Sequence, residues 1–490
     1  MGARSGRQVL ERLREHVPEL WHRGERVEDV TTHPAFKNGV NSLAELYDIQ
    51  LEQPEVMLFP SPSSGDMVGR AFMIPRSREE LASVTRMMRV WASHHHGMMG
   101  RAPDYLSRAI AAYAGGAEFL GRQDPRFAEN IRKYHAYLRE NDLCLTHTLI
   151  TPQANRAVGT AEQADPYLAA RVKEETDAGI VLRGARMLAT LPMADEIMVF
   201  PSTLLKNQVE DAPYAFGLAL ACDTPGLKFI CRETVDYGRS RYDHPLGSRF
   251  EEMDAAVVFD DVFVPWDRVF LYRDVETCNQ AYAATGAIVN MAHQVAVKNT
   301  AKTEFLLGLA ALMSQTIGIE VFQHVQEKIA EIWINLETMK AFLRAAEDGA
   351  EPDEFGVMRP AWDPLDAARN LYPRLYPRMV EIIQQLGASG LVAAPTEADV
   401  NGPLAEEISR FYQSARADAH ERIPIFRLAW DTALSAFASR QVLYERYFFG
   451  DPVRMSTALL KAHDMTPYMD QIRAFIAQND REALERTGNP

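Results

Sequence analysis

The chain has 490 residues, of which 47% are hydrophobic and 24% charged, and its formal net charge is −15. This length exceeds what one compact core holds and predicts two or three packed domains. The acidic balance argues against a nucleic-acid partner, and the sequence contains no apolar run long enough to span a bilayer.

The first 148 residues have the periodicity of a helical domain. One helix is predicted to begin at Ser77, because Ser77 and Glu80 have capping-box spacing. A second is predicted near Asp104, after Pro103. Apolar stripes at helical spacing support the first helix and a third one. The stripes are Leu81, Val84, Met88 and Trp91, and Phe127, Ile131, Tyr134 and Leu138.

Residues 149–275 change to short apolar runs separated by turn residues, and these runs are too short for helices. We interpret the region as a compact antiparallel β domain with strands at residues 180–182, 197–200, 216–220, 227–230 and 257–259. Residues 223–226 and the pair Asp260 and Asp261 are interpreted as turns between strands. Pro201 and Pro265 are expected to end strands.

Residues 276–490 return to helical periodicity over longer stretches, which predicts a bundle. The clearest stripe is Val325, Ile329, Ile332, Leu336, Met339 and Leu343. Prolines are expected to divide this region into several helices, and two glycines and a proline predict a loop before the last long helices. These residues are Pro360, Pro364, Pro373 and Pro377, followed by Gly387, Gly390 and Pro395.

The four cysteines lie far apart or inside apolar runs and lack metal-ligand spacing. We expect buried reduced thiols and no metal site. The N-terminus lacks the apolar core of a secretory signal, which predicts a cytoplasmic protein. The cysteines are Cys144, Cys222, Cys231 and Cys278.

The densest polar cluster of the N-terminal region ends at Tyr105. Two glycines upstream allow close backbone approach to a ligand, and if the helix starts by Arg101 the i,i+4 spacing places Arg101 and Tyr105 on one face. This pair suits a phenolate oxygen. The structural alternative is an Arg101–Asp104 ion pair with Tyr105 packed as an amphipathic ring.

A second cluster surrounds His147, at the junction of the helical and β regions, where clefts tend to form. Imidazole moves protons near neutral pH, so His147 is either a proton-transfer residue or a satisfied buried histidine. Gln153, Asn155 and Arg156 follow it and suit heterocycle edges or a pyrophosphate.

Near the end of the chain, Gly450, Asp451 and Pro452 are typical of a turn. The guanidinium of Arg454, just after them, suits a phosphate. A simple turn between helices explains these residues equally well. The sequence contains no GxGxxG, GxxxxGK or GxSxG motif in a fitting context, so nothing supports a Rossmann site, a P-loop or a serine hydrolase.

Six ordered motifs together resemble the large-component family of 4-hydroxyphenylacetate 3-monooxygenases, and the likeness covers nearly the whole chain. The motifs are Gly100-Arg101-Ala102-Pro103-Asp104-Tyr105, Leu145-Thr146-His147-Thr148-Leu149 with Pro152-Gln153, Gly184-Ala185-Arg186-Met187, Phe200-Pro201-Ser202-Thr203, Met291-Ala292-His293-Gln294 and Gly450-Asp451-Pro452-Val453-Arg454.

The resemblance implies an α+β, mostly α, fold that is acyl-CoA dehydrogenase-like. It implies an N-terminal helical domain (1–148), a middle antiparallel β-barrel (149–275) and a C-terminal four-helix bundle (276–490). It also implies a homotetramer of a cytoplasmic enzyme of aromatic catabolism, and a separate NAD(P)H:flavin reductase that supplies FADH2.

The same resemblance implies roles for individual residues. Arg101, Tyr105 and His147 would contact the phenolic hydroxyl of the substrate, and Ser202 and Thr203 would receive its carboxylate tail. The implied FAD site consists of His147, Thr148, Leu149, Gln153, Ala154, Asn155, Arg156, Thr190, Asp451, Pro452, Val453 and Arg454.

The implied reaction converts 4-hydroxyphenylacetate into 3,4-dihydroxyphenylacetate. A cationic Arg101 with His147 and Tyr105 around the phenol oxygen would lower the pKa of the phenol, which makes its ortho carbon nucleophilic. The ring would attack a C4a-hydroperoxide formed from FADH2 and O2, in a pocket that excludes water. Thr190 would help to hold that adduct.

Four alternatives stay open or are weighed against this interpretation. The same chemistry on a chlorophenol, coumarate or a tyrosine derivative is open. An acyl-CoA dehydrogenase and a non-enzymatic helical scaffold are less favoured. A 4-hydroxybutyryl-CoA dehydratase needs three cysteines and a histidine for its iron-sulfur cluster. His293 matches the histidine, but no cysteine stands near Arg101 or near Asn299 and Thr300.

Overall fold

The computed structural model describes residues 2–152, 154–201, 205–206 and 208–487, with side chains up to residue 479. Its helices are α1 (Gly6–Glu15), α2 (Lys37–Glu52), α3 (Pro54–Met57), α4 (Arg78–His94), α5 (Pro103–Gly115), α6 (Ala117–Leu120), α7 (Pro125–Asn141), α8 (Gly247–Phe250), α9 (Val275–Ala284), α10 (Ala287–Thr316), α11 (Gln323–Asp348), α12 (Trp362–Gly387), α13 (Ser389–Val392), α14 (Glu397–Val400), α15 (Ala405–Phe411), α16 (Ala419–Ala433), α17 (Ala436–Tyr447), α18 (Pro452–Ala462) and α19 (Thr466–Thr487). Within the described ranges, none of the helices has both the length and the apolar composition needed to cross a membrane.

The strands share one large sheet, except for two small hairpins formed by β3 with β4 and by β13 with β14. They are β1 (Glu19–His22), β2 (Glu25–Val27), β3 (Leu58–Pro60), β4 (Met67–Gly69), β5 (Leu145–Ile150), β6 (Arg171–Thr176), β7 (Gly179–Ala189), β8 (Glu196–Val199), β9 (Phe216–Ala221), β10 (Leu227–Cys231), β11 (Asp254–Pro265), β12 (Val269–Tyr272), β13 (Glu351–Pro352) and β14 (Met358–Arg359).

The three helices predicted in the N-terminal region are present as α4, α5 and α7. The Oγ of Ser77 accepts the backbone N–H of Glu80 at 3.2 Å and caps α4, as its position predicts. The stripes of α4 and α7 are buried, so periodicity identified the inner faces of both helices. The expectation of a purely helical start was wrong at β1 and β2 and at the β3–β4 hairpin.

The large sheet is mixed, and its strand order is β12-β9-β8-β5-β7-β11-β10-β1-β2, with β6 beside β7. The expectation of an antiparallel domain was therefore wrong at two pairings. β5 runs parallel to β8 because the β6–β7 hairpin lies between them in the chain and brings β8 back in the direction of β5. β1 comes from the N-terminus and adds parallel to β10.

The sequence analysis expected a turn at Asp260 and Asp261, but both residues lie within β11. The register of β11 against β7 shifts between Phe259 and Val262, and Asp261 has φ +54°. This is a β-bulge. Lys228 pairs with Asp260 at 2.8 Å and Lys173 with Asp261 at 2.7 Å, so the two carboxylates are satisfied without a chain reversal.

The C-terminal region packs α10, α11, α12 and the consecutive pair α16 and α17 on one another, as the long stripes predicted. The expected breaks at Pro373 and Pro377 were wrong, because α12 continues through both. The buried side chains of Tyr372, Tyr376 and Met379 anchor this part of α12 in the bundle core. Their burial offsets the two backbone hydrogen bonds that the prolines remove.

The division of the chain at residues 148/149 and 275/276 stays a prediction. β5 begins just before the first of these positions and α9 begins at the second. The helix α10 also packs against α4 and α5, so the C-terminal bundle meets the N-terminal helices where the sheet ends. Arg101, Tyr105 and His147 lie close together in this part of the molecule.

Candidate active site

Arg101 is held in a tight turn before α5. The backbone N–H groups of Gly100 and Arg101 donate to the two carboxylate oxygens of the buried Glu252, at 2.9 and 3.0 Å. A Cβ on Gly100 would lie 2.2 Å from the ring of Tyr444, so this close approach requires glycine. Glu252, just before β11, and Tyr444, on α17, therefore both hold this turn in place.

The guanidinium of Arg101 lies among aromatic rings and is itself buried. Its Nη1 donates to the carbonyl of Ala189 at 3.1 Å and to the hydroxyl of Tyr444 at 2.7 Å. Since α5 begins at Pro103, Arg101 and Tyr105 do not share a helix face, but the Cζ of Arg101 still lies 5.5 Å from the ring centroid of Tyr105. Asp104 accepts from the side chain of Gln294 at 3.0 Å instead of pairing with Arg101.

Burial and neighbouring groups act in opposite directions on Arg101. Burial lowers the pKa of the guanidinium, but the phenol side chains of Tyr444 and Tyr105 and the carboxylate of Glu252 raise it above its usual value. Arg101 is therefore a permanent buried cation. Its Nε has no hydrogen-bond partner among the described residues.

His147 lies on β5 beside Tyr105. The two ring centroids are 6.0 Å apart, and the ring of Phe200 meets His147 edge-on at 5.4 Å. Burial, and then the charge of Arg101, hold the pKa of His147 well below its ordinary value, so the imidazole is neutral at physiological pH. Its buried Nδ1 has no partner within the described part of the chain.

Further buried polar atoms without partners surround Phe200. In the described residues these include the hydroxyls of Tyr113 and Tyr282 and the Nε of Arg186. Buried polar groups nearly always have hydrogen-bond partners, so such a concentration marks a place where a ligand completes the bonding. The atoms come from α5, α9 and β7, which no local sequence pattern connects.

Thr190 follows β7 with a left-handed backbone, at φ +102°, and is buried. Its carbonyl accepts the hydroxyl of Thr146 at 2.6 Å. A β-branched residue in this region is strained by roughly 1–3 kcal/mol, a feature that concentrates at functional sites. The residue before it, Ala189, contacts Arg101, so Thr190 adjoins the Arg101 side chain.

The remaining described residues of the implied FAD site differ in burial, from the buried Thr148 to exposed residues after β5 and at the start of α18. The hydroxyl of Thr148 donates to the carbonyl of Met187 at 2.7 Å, and the carbonyl of Leu149 accepts from Arg186 at 2.9 Å. The exposed residues of this set are Ala154, Asn155, Arg156, Asp451, Val453 and Arg454, and Pro452 is half-buried.

Asp451 caps α18, since its Oδ1 accepts the N–H groups of Val453 and Arg454 at 2.8 and 3.0 Å. Asp451 lies three residues after Phe448, and the ring centroid of Phe448 is 5.5 Å from that of Tyr105. The end of α17 therefore connects the Arg101 centre to the 451–454 segment. Gln153, Ser202 and Thr203, which the sequence analysis also assigned, lie outside the described residues.

Sequence reasoning left several residues of this centre unassigned. They are Tyr113, Arg186, Glu252, Tyr282, Tyr444 and Phe448. Arg186 carried a usable signal, because a lone arginine between small and apolar residues in a strand implies a buried cation. The others look like ordinary core or amphipathic residues in sequence, and only their convergence identifies them.

The dehydratase alternative receives no support from the surroundings of His293. Its Nε2 lies 3.1 Å from Glu347 and 3.3 Å from the hydroxyl of Thr85. Among the described residues, no three histidine, cysteine or acidic side chains are grouped to hold a metal ion. A surface cleft of about 310 Å³ beside Arg76 and Phe355 shares none of the predicted residues.

A buried cation, a neutral imidazole and unpartnered hydroxyls at a domain junction define an enzyme site for a small molecule. The model of the 4-hydroxyphenylacetate 3-hydroxylase N-terminal region matches residues 5–271, and the model of its C-terminal region matches residues 278–477. The chain therefore belongs to the 4-hydroxyphenylacetate 3-hydroxylase family.

Individual relatives agree over their whole length. A protein of Thermus thermophilus named 4-hydroxyphenylacetate 3-monooxygenase oxygenase component is 50% identical, over 97% of this chain and 98% of the relative. A protein of the same name from Geobacillus sp. is 49% identical, over 97% of each chain.

A solved structure of such an oxygenase component, complexed with FAD and 4-hydroxyphenylacetate, superposes with a TM-score of 0.93 and 50% identity, over 98% of this chain and 99% of the other. An archaeal 4-hydroxybutyryl-CoA dehydratase from N. maritimus has a TM-score of 0.87 at 20% identity, over 97% of this chain and 95% of the other, which shows a shared fold alone. The fold is acyl-CoA dehydrogenase-like and mostly α, as expected.

Proposed function

We propose that this chain is the oxygenase component of a two-component monooxygenase that uses FADH2 and O2 to hydroxylate 4-hydroxyphenylacetate beside its hydroxyl group. The relatives that match over almost the entire chain carry this activity in their names. The observation that carries the proposal is that a buried cation, Arg101, and the neutral imidazole of His147 both lie beside the Tyr105 ring.

These residues suit the conversion of a phenol into a phenolate. The unpartnered Nδ1 of His147 is available for a hydrogen bond with the phenolic oxygen, and the positive charge of Arg101 stabilises that oxygen in its negative form. Burial strengthens this attraction because the site has a low dielectric constant. The phenolate form raises electron density at the ortho carbon, where the new hydroxyl is placed.

Reduced FAD, when bound, supplies the activation of O2. The residues proposed to hold it are 147–149, 153–156, Thr190 and 451–454. Thr190 offers a buried hydroxyl on a strained backbone next to Ala189, and Arg454 offers an exposed cation at the start of α18, which suits a pyrophosphate. The enclosed position of Arg101 and His147 keeps water from the reacting oxygen.

The proposal includes four expectations about the surroundings of the enzyme. A separate NAD(P)H:flavin reductase supplies FADH2, the location is cytoplasmic, and Ser202 and Thr203 receive the substrate carboxylate. The chain also assembles as a homotetramer. Exposed apolar side chains on α11 and α19, such as Trp333, Ile472 and Phe475, support an assembly, since monomers rarely expose such groups together.

The test is a single-turnover reaction with photoreduced FAD, O2 and a panel of para-substituted phenols, scored by catechol formed against hydrogen peroxide released. We expect the highest catechol yield with 4-hydroxyphenylacetate. Arg101→Ala and His147→Ala should lower the yield and raise the peroxide released per FADH2. Oxidation of FADH2 with peroxide alone for every phenol would contradict the proposal, as would anaerobic reduction of the bound flavin by an acyl-CoA.

A further inference from the structure

The carboxylate of Glu252 is fully buried, and backbone N–H groups occupy both of its oxygens. Its Oε2 accepts from Gly100 at 2.9 Å, and its Oε1 accepts from Arg101 at 3.0 Å. A carboxylate can accept from two neighbouring N–H groups at once through its two oxygens, whereas the amide of glutamine has a single acceptor oxygen. The turn that carries Arg101 therefore requires an acidic residue at this position.

Two cations balance the buried charge of Glu252. The Nη1 of Arg440 lies 3.8 Å from its Oε2, and the Nε and Nη2 of Arg440 donate to Asp254 at 2.9 and 2.8 Å. The second cation is Arg101 itself. Burial lowers the pKa of the Arg101 guanidinium, and the charge of Glu252 is among the groups that raise it. A buried carboxylate without such balance would be strongly destabilising.

Tyr444 holds the other end of the Arg101 side chain. Its hydroxyl accepts the Nη1 of Arg101 at 2.7 Å, and the guanidinium carbon of Arg101 lies 5.0 Å from its ring centroid. The guanidinium carbon of Arg440 lies 4.8 Å from the same centroid. Arg440 thus contacts both Glu252 and Tyr444, so the two residues that hold Arg101 are themselves connected.

This arrangement fixes the guanidinium of Arg101 and still leaves it a donor for a ligand. Its Nη1 is used by the carbonyl of Ala189 and the hydroxyl of Tyr444, whereas its Nε has no partner among the described residues. The balancing carboxylate binds backbone N–H groups and so does not occupy the guanidinium. A cation held in advance at a fixed place is what the stabilisation of a charged oxygen requires.

We propose that Glu252 and Tyr444 are positioning residues, which hold the guanidinium of Arg101 where it stabilises the phenolate form of the substrate. The inference rests on the proposed function and extends it to two residues that act through Arg101. Loss of the Glu252 carboxylate removes a hydrogen bond from the turn, and loss of the Tyr444 hydroxyl removes an acceptor from the guanidinium. In both cases the cation moves relative to the phenolic oxygen, so the phenol loses its proton less readily.

The experiment measures the ionisation of a bound phenol directly. 4-Nitrophenol is the probe, because its phenolate form absorbs violet light strongly and its neutral form does not. It is titrated by absorbance on anaerobic protein loaded with FADH2, for the unmodified protein, Glu252→Gln and Tyr444→Phe. We expect the pKa of the bound probe to rise by about one pH unit in each variant, which is an about tenfold smaller population of phenolate relative to phenol at a given pH. Catechol formation from 4-hydroxyphenylacetate should require a correspondingly higher pH.

Glu251→Gln is the matched control, because it removes the adjacent buried carboxylate by the same substitution. Glu251 accepts from Arg232 at 2.6 Å and does not bind the turn at Arg101. The control should leave the pKa of the bound probe unchanged. A pKa that stays the same or falls in either test variant would overturn the proposal, and a fall in Glu252→Gln would mean that Glu252 acts by repelling the phenolate.

Two further results are kept apart from this one. Circular dichroism reports whether each variant folds, and if Glu252→Gln does not fold, Tyr444→Phe decides the proposal, because it removes one hydroxyl and no charge. Failure of the proposed function is seen in the unmodified protein, which would bind 4-nitrophenol without lowering its pKa and would form no catechol from any phenol.

Discussion

The guanidinium carbon of Arg101 lies 4.6 Å from the ring centroid of Phe448. The ammonium of the buried Lys298 lies 4.7 Å from the same centroid, so one ring serves two cations. The position of Arg101 therefore depends on an aromatic residue at the end of α17, a long way along the chain. A desolvated contact of this type is worth about 2 kcal/mol.

Phe448→Leu should release Arg101 without unfolding the protein. Leucine preserves apolar volume but removes the ring face that attracts the guanidinium. We expect catechol yield per FADH2 to fall severalfold, with a corresponding rise in peroxide, in the single-turnover assay. Phe411→Leu is the control, because the exposed ring of Phe411 lies 5.3 Å from the guanidinium carbon of Arg410 and should keep the yield of the unmodified protein. Equal catechol yields per FADH2 in the two variants would contradict a role for Phe448.

The depressed pKa of His147 predicts a pH-dependent contribution to stability. Its ordinary value is 6.5, and burial with Arg101 lowers the pKa in the folded protein. Below pH 6.5 the unfolded chain therefore binds a proton that the folded protein excludes, so this residue destabilises the fold as the pH falls.

The measurement compares urea unfolding of the unmodified protein and His147→Gln at pH 7.5 and 5.5. The variant should gain about 1.4 kcal/mol relative to the unmodified protein on going to pH 5.5, one unit below the ordinary pKa. His420→Gln, at an exposed position, should show no such relative gain. A constant difference for His147→Gln across the two pH values would mean that the imidazole titrates normally.

Two substitutions of Thr190 distinguish the effect of its strained backbone from the effect of its hydroxyl group. Thr190→Gly removes the side chain that opposes φ +102°, so we expect thermal stability to hold or rise. The same variant loses the buried hydroxyl and should release more peroxide per FADH2. Thr190→Ser keeps the hydroxyl and should retain coupling. If Thr190→Gly released no more peroxide per FADH2 than the unmodified protein, Thr190 would have no role in the flavin site.

The carboxylate of Glu445 accepts from both Lys298 and Lys302 at 2.5 Å, and all three side chains are buried. Glu445→Gln leaves the two ammonium groups without a counter-charge and should lower the free energy of unfolding by about 3–5 kcal/mol. Glu337→Gln, which breaks a surface pair with Lys340, should change stability little. Similar effects of the two substitutions in urea titrations would mean that the buried cluster is electrostatically unimportant.

Local sequence predicted the elements whose inner face repeats at a fixed spacing. The stripe from Phe127 to Leu138 gave α7, and the short apolar runs gave β7 to β11. Arg101, Tyr105 and His147 were also singled out from the sequence, because they interrupt apolar patterns, and the structure brings their side chains together. These patterns can be recognised in the sequence because they involve only residues that are close together in the chain.

Local signals failed where distant contacts outweighed them. Pro373 and Pro377 read as helix breaks, but the burial of Tyr372 and Tyr376 keeps α12 continuous. Asp260 read as a turn residue, but Lys228 satisfies it within a bulged strand.

The amino-acid sequence alone was enough to identify the family and the succession of helical, β and helical regions, and it predicted residues for the phenol end of the site. Only the tertiary structure decided that Arg186, Tyr113 and Tyr282 face one another around Phe200. These residues come from three separate elements, and a buried cation or hydroxyl is recognisable as unpaired only when everything packed against it is known.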